Sequence, residues 1–210
     1  IGVETLYGAN KGSWRVIDAL ATLGFDYPRR GKFFQKELEE FLLLAKEERV
    51  DPFSLKGSYA GAMGWGQFIP SSYRAYAVDF DGDGRRDLIS NPVDAIGSVA
   101  NYFKNHHWQK GDLVTLPATV KGSPKRRANL PDGNDKPTIP VSKLADYGIS
   151  LKQRIKGDPL TNYIKLETAK GKFSPWVGFN NFYVITRYNR SPLYTMAVYN
   201  LSRAIKRKMR

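Results

Sequence analysis

Glu4, in the tripeptide Val3-Glu4-Thr5 just before Gly8, and the later run Gly61-Ala62-Met63-Gly64-Trp65-Gly66-Gln67-Phe68-Ile69-Pro70 are the parts of this chain best suited to chemistry. The run interleaves glycine with aromatic and amide side chains, a composition that neither a helix nor a plain strand favours. A carboxyl held among apolar neighbours beside a glycine-opened groove is what an acid that cleaves sugars needs. Burial penalises the ionised form, so such a group still carries a proton near neutral pH. Glycine lets a polysaccharide approach the backbone, and an amide such as Gln67 orients acetamido and hydroxyl groups. Trp65 suits two tasks equally, stacking on a sugar face or filling a core, and Met63 suits packing. Taken singly, each piece has a plainer reading, a solvated surface glutamate or an ordinary loop.

A second constellation is Asp79-Phe80-Asp81-Gly82-Asp83-Gly84-Arg85, which has the D-x-D-x-D-G arrangement of an EF-hand loop. Acidic side chains stand at positions 1, 3 and 5, Gly84 permits the turn at 6, and Arg85 at 7 supplies a carbonyl. Three carboxylates so close repel unless a cation neutralises them, and Ca²⁺ is the natural one. Position 12 is Ser90 where that pattern has glutamate. Asp94 and Asp87 compete for the last ligand, and Asp94 also falls in the first turn of a helix opened by Asn91-Pro92, where a carboxylate is favoured anyway. His106 and His107 have no partners at metal-ligand spacing and read as a helix end.

The elements that must position these groups are mostly helical. Phe34, Leu38, Phe41, Leu42 and Ala45 predict one face of a helix, with Glu39, Glu40, Glu47 and Glu48 mostly on other faces and solvated. Ala95, Val99, Tyr102 and Phe103 line a second helix, and Tyr194, Ala197, Val198, Leu201 and Ile205 a third. Between Gln109 and Lys172 the β-prone runs Asp112 to Val120, Pro137 to Val141 and Tyr163 to Thr168 predict a small β-rich insert, with a short helical turn over Val141 to Tyr147. The expected class is mainly α (α+β). A helical core is begun by residues 1–108, with the metal loop at 79–94; it is interrupted by the insert at 109–172 and resumed by 173–210.

The segments IGVETLYG, DALATLGFDYPRR, LKGSYAGAMGWGQFIPSSYRAYAVDFDGDG, NPVDAIGSVANYF and ITRYNRSPLYTMAVYNL resemble the membrane-bound lytic murein transglycosylases of the B type, a lysozyme-like group that cleaves bacterial peptidoglycan. The resemblance runs from Ile1 to about Trp108 and returns from about Trp176 to Leu201. It implies a lysozyme-like helical core and makes Glu4 a single acid, then base, that cuts the MurNAc–GlcNAc bond and leaves a 1,6-anhydro end. It places Ser58 beside the acid, Gln67 on an acetamido group and Tyr102 along the cleft, and brings Asn189 and Tyr194 toward the site; both tyrosines also lie on apolar stripes, where a core role stays open. It further implies Asp94 as the last Ca²⁺ ligand, glycan strands and other cell-wall enzymes as partners, and a periplasmic lipoprotein of the outer membrane whose leader and lipidated cysteine lie outside this chain. A non-catalytic peptidoglycan-binding module and a hydrolytic muramidase are the alternatives.

With 210 residues, of which 41% are hydrophobic and 13% aromatic, the chain can bury a sizeable core. It has no apolar run of bilayer length and no cysteine, which fits an extracytoplasmic domain without disulfides and equally many cytosolic proteins. Lys and Arg outnumber Asp and Glu by 33 to 20, a net charge of +13 that favours a polyanionic partner. The clusters at Lys121 to Arg127 and Arg203 to Arg210 are not interleaved with aromatics as in single-strand binders, so nucleic acid is not expected.

Overall fold

The structure, a computed structural model, describes residues 1–209 and divides into two compact units, Ile1–Tyr102 and the rest of the chain from Phe103. In the first unit the order is α1 (Gly2–Thr5), β1 (Trp14–Arg15), α2 (Val16–Phe25), α3 (Gly31–Glu47), β2 (Lys56–Gly57), α4 (Pro70–Tyr76) and α5 (Pro92–Asn105), the last running on into the second unit. Apolar residues at helical spacing bury the inner faces: Val16, Ala19 and Leu20 of α2, and Phe34, Phe41, Leu44 and Ala45 of α3. The face of α3 differs from expectation at Leu42, which is 47% exposed, and at Glu37, which is buried. Asn91 caps α5 as expected, its Oδ1 accepting from Val93 N at 2.9 Å. Met63, Phe68 and Leu88 complete the core, so Met63 is packing.

Charged side chains brace these helices. Arg74 on α4 pairs with Glu40 and, at 2.6 Å, with Glu47; Arg86 pairs with Glu48 and, at 3.5 Å, with Glu47. Glu40, Glu47 and Glu48 are therefore ion-paired where solvation was expected. Hydrogen bonds from Arg74 hold the Glu47 carboxyl below its ordinary range.

In the second unit β3 (Thr115–Val120), β4 (Ile139–Pro140), β5 (Ile149–Leu151), β6 (Leu160–Ala169) and β7 (Lys172–Gly178) form one antiparallel sheet in the order β4-β6-β7-β3-β5, followed by α6 (Asn180–Tyr188) and α7 (Pro192–Lys208). Val141–Tyr147 is a 3₁₀ helix, matching the expected turn. Strand β7 lies where a return to helix was expected. It accommodates Pro175 because β3 pairs with β7 only from Trp176 to Gly178 and then turns to β5, so the missing N–H faces no partner strand there.

Phe182 of α6 and Met196 of α7 share a core with Ile164 and Leu166 of β6, so both helices pack on the sheet. On α7 the buried residues are Thr195 and Met196, while Ala197 and Ile205 of the expected stripe are exposed. The helix meets the sheet through Met196 and Tyr199, one turn apart.

Candidate active site

Glu4 stands on α1, a single helical turn, and is half-buried. Its apolar neighbours Val3, Leu6 and Tyr7 are exposed, so the wholly apolar niche expected for this carboxyl is not formed by its own segment. Thr5, almost fully buried, anchors the turn instead. Its Oγ1 donates to Trp65 O at 2.9 Å and accepts from Gly8 N at 3.0 Å. The chain then reverses through Leu6, Tyr7 and Gly8, all with positive φ. Side chains rarely adopt that conformation, and two consecutive non-glycine residues there mark local strain. Only glycine fits at position 8, since a Cβ would lie 2.6 Å from the Trp65 ring.

The glycine-rich run folds into a tight ladder of turns in which Met63 and Phe68 exchange backbone hydrogen bonds at 2.8 and 3.0 Å. Ser58 Oγ accepts from Ala62 N at 3.1 Å and Ala60 N at 3.3 Å, which leaves its proton to donate. Gln67 has φ +52°, and its Nε2 donates to Lys11 O at 3.1 Å and Gly64 O at 3.0 Å. Lys11 in turn donates to Ile89 O at 2.8 Å, with its Nζ 5.4 Å from the centre of the Trp65 ring. Trp65 N donates to Leu88 O at 2.9 Å. Hydrogen bonds thus tie Trp65 to Thr5, next to Glu4, and Gln67 to Lys11, while Ser58 is held by Ala60 and Ala62 of the glycine-rich stretch.

Tyr102 also lies in that unit but is only 8% exposed, with its ring 4.8 Å from Tyr76 and 5.9 Å from Phe68, an aromatic packing position. Asn189 and Tyr194 lie in the second unit. Asn189 is exposed at the end of α6, and Tyr194 is half-buried in the first turn of α7, its N–H donating to Ser191 Oγ at 3.3 Å. Thr5, Lys11 and Glu37 were not anticipated. Glu37 alone left a trace in sequence, sitting between Phe34 and Phe41 on the apolar stripe of α3; its carboxylate accepts from Ser71 N at 2.9 Å and Ser71 Oγ at 2.7 Å, capping α4.

Asp79, Asp81, Asp83 and Asp94 each bring a carboxylate oxygen to within 4.8 Å of the others. Asp94 is fully buried, and its two oxygens accept from Phe80 N and Asp87 N, both at 2.8 Å. Asp79 gathers Gly82 N at 2.6 Å and Gly84 N at 2.8 Å, wrapping the loop on itself. Asp87 lies outside the cluster, its Oδ1 accepting from Ile89 N and Ser90 N. The side chain of Arg85 is exposed. Among the described residues no basic side chain pairs with any of the four carboxylates. Four hard oxygen donors converging without a counter-charge fit a divalent cation of the Ca²⁺ type.

The transglycosylase SLT domain family matches residues 1–203. The chain is 50% identical over 205 residues to the membrane-bound lytic murein transglycosylase B of Escherichia coli (strain K12), covering 98% of this chain and 55% of that protein; it spans about half the length of this curated relative. Among solved structures, the soluble lytic transglycosylase SltB1 of Pseudomonas aeruginosa superposes with a TM-score of 0.90 at 52% identity, over 99% of this chain and 68% of that one. The Escherichia coli lytic transglycosylase Slt35 in complex with calcium gives a TM-score of 0.87 at 49% identity, over 98% and 63%. SltB3 of Pseudomonas aeruginosa in complex with NAG-NAM-pentapeptide gives 0.77 at 32% identity, over 94% and 52%. Matched along nearly its whole length, with half its residues shared, the chain belongs to the transglycosylase SLT domain family.

Proposed function

We propose that the chain carries the catalytic region of a peptidoglycan lytic transglycosylase, with Glu4 as its one acid and base. The observation that carries the reading is the clip between Thr5 Oγ1 and Trp65 O, which fixes the turn bearing Glu4 to the glycine-rich run in a chain of this family. Protonated Glu4 gives its proton to the oxygen linking MurNAc to GlcNAc, and that bond breaks. The 2-acetamido group of the sugar stabilises the positive charge at the anomeric carbon. The carboxylate of Glu4 then takes the proton of the MurNAc 6-hydroxyl, whose oxygen closes on the anomeric carbon as a 1,6-anhydro ring. No water enters, so the reaction is a lyase reaction.

Ser58 donates its remaining proton to the carboxyl of Glu4 or to a sugar oxygen. Gln67, whose NH₂ is committed to the loop, offers its carbonyl oxygen to an acetamido N–H. Tyr102 on the first unit, with whatever edge its packing leaves open, and Asn189 and Tyr194 on the second unit are further candidate glycan contacts, each taken within its own unit. Asp79, Asp81, Asp83 and Asp94, with the carbonyl of Arg85, hold a structural Ca²⁺ whose charge offsets theirs and fixes the loop. The bound state of Slt35 supports that reading, as the NAG-NAM-pentapeptide on SltB3 supports a peptidoglycan substrate. In its native setting the protein acts in the periplasm, held at the outer membrane by a lipid outside this chain and working beside other cell-wall enzymes.

Mass analysis of the products from purified sacculi tests this. Anhydro-muropeptides are expected. Reducing-end muropeptides, heavier by one water, would make the enzyme a muramidase, and binding without cleavage would make the chain a recognition module.

A further inference from the structure

The positive charge of the chain is concentrated in one unit. Before Phe103, 12 Lys and Arg stand against 14 Asp and Glu, a balance of −2; from Phe103 on, 21 stand against six, a balance of +15. A domain so one-sided surrounds itself with positive potential and draws polyanions to it. The second unit also offers a concave place to receive one. A cleft of about 530 Å³ lies among the approach to β3, the turn at Lys136, the loop between β5 and β6, and the start of α6, within the size range of ligand sites.

The lining of this cleft combines apolar contacts from Ile155, Leu160 and Phe179 with the exposed cations Lys136, Arg154 and Lys156. Its one acidic member is Asp112. Among the described residues none of the three cations pairs with a carboxylate. Asp158, close to them in the chain, is engaged elsewhere: Ser142 donates to it through both N and Oγ at 2.8 Å. Cations left without counter-charges around an apolar lining are complementary to a short peptide that carries carboxylates and aliphatic side chains. A nucleic acid would want exposed aromatic rings on which to stack, whereas Phe179, the one ring in the lining, is buried.

We infer that this cleft docks the carboxylate-bearing peptide stems of the glycan. The inference takes its substrate from the function proposed above but adds a site of its own on the second unit. Binding there holds the wall polymer by its peptides and concentrates it around the protein.

The test is co-sedimentation with purified sacculi in a Glu4→Gln background, so that no cleavage intervenes. It compares that protein with one also carrying Lys136→Glu, Arg154→Glu and Lys156→Glu, all exposed positions. On native sacculi the charge-reversed protein is expected to bind on the order of tenfold more weakly. On sacculi whose peptide carboxylates have been chemically amidated, and on glycan stripped of its peptides, the two proteins should bind alike. Equal binding to native sacculi, or an equal loss on all three substrates, overturns the inference. So does a loss confined to vesicles of anionic phospholipid. Because no readout requires turnover, failure here is separable from failure of the proposed reaction, which product analysis of the unmodified protein decides.

Discussion

Glu4, the proposed acid, and Glu37, a structural acceptor, carry the same side chain, and substitution by glutamine separates the two roles. Glu37 is buried and spends both oxygens on Ser71 at the start of α4. Glu37→Gln keeps an acceptor for Ser71 N and donates its NH₂ to the Ser71 hydroxyl, so only the charge assistance of the two bonds is lost, which is expected to cost about 1 kcal/mol of stability, read as a lower urea midpoint. Glu4→Gln is expected to leave that midpoint in place and to lower release of anhydro-muropeptides by roughly 10²–10⁴-fold, the usual worth of general acid–base help. Wild-type turnover in Glu4→Gln would remove the acid from the mechanism. The first glutamate stands in a motif that can be read from the sequence, as the proposal requires. The second was hidden, because a charge on an apolar stripe reads as an outward excursion until the partner beneath it, Ser71 of another helix, is known. Thr5 and Lys11 left no trace at all, since their work is done by bonds to the backbone at Trp65 and Ile89, which no local pattern encodes.

At the scale of elements, the segment Leu88–Ile89 connects the acidic loop to the candidate site. Asp94 of the carboxylate cluster holds Asp87 N, and the next two carbonyls receive Trp65 N and Lys11 Nζ. On the other side Tyr73, whose phenol burial pushes above its ordinary range, donates to Arg86 O and accepts from Leu88 N at 3.0 Å. Calcium binding should therefore be felt at Trp65. Adding Ca²⁺ to chelator-treated protein is expected to change tryptophan emission, and Trp65→Phe should remove most of that change. Filling the site at 100 times its dissociation constant stabilises by about 2.7 kcal/mol, a rise of roughly 5–10 °C in Tm for a chain of this size. Asp94→Asn should lose both responses; an unchanged Tm in the unmodified protein would argue against a folded-state cation site. The loop itself was plain in the sequence, because D-x-D-x-D-G specifies its own turn. Strand β7 was not, because Pro175 argues against a strand unless its partner is known to turn away. The buried face of α7 was misjudged for a related reason: a helix touching a sheet over one turn buries Met196 and half-buries Tyr199 rather than a stripe along its whole length.

For the whole molecule, the sum of charges was legible from composition, but its placement depended on where the units divide, and that boundary at Tyr102–Phe103 carries no glycine, proline or change of hydropathy to announce it. The +15 balance of the second unit contrasts with the −2 of the unit holding Glu4. On the proposed function, attraction of an anionic wall by the second unit belongs to encounter and retention, and proton transfer to the first. Raising the salt from about 0.1 M to about 1 M shortens the screening length from roughly 10 Å to 3 Å, which removes the long-range pull and leaves contacts inside the site almost untouched. On intact sacculi KM is accordingly expected to climb with salt while kcat stays nearly constant. On glycan freed of its peptides, which lacks those carboxylates, KM should respond far less. A fall in kcat with salt on both substrates would mean that charge acts on the chemical step itself, and the division of labour between the two units would be wrong.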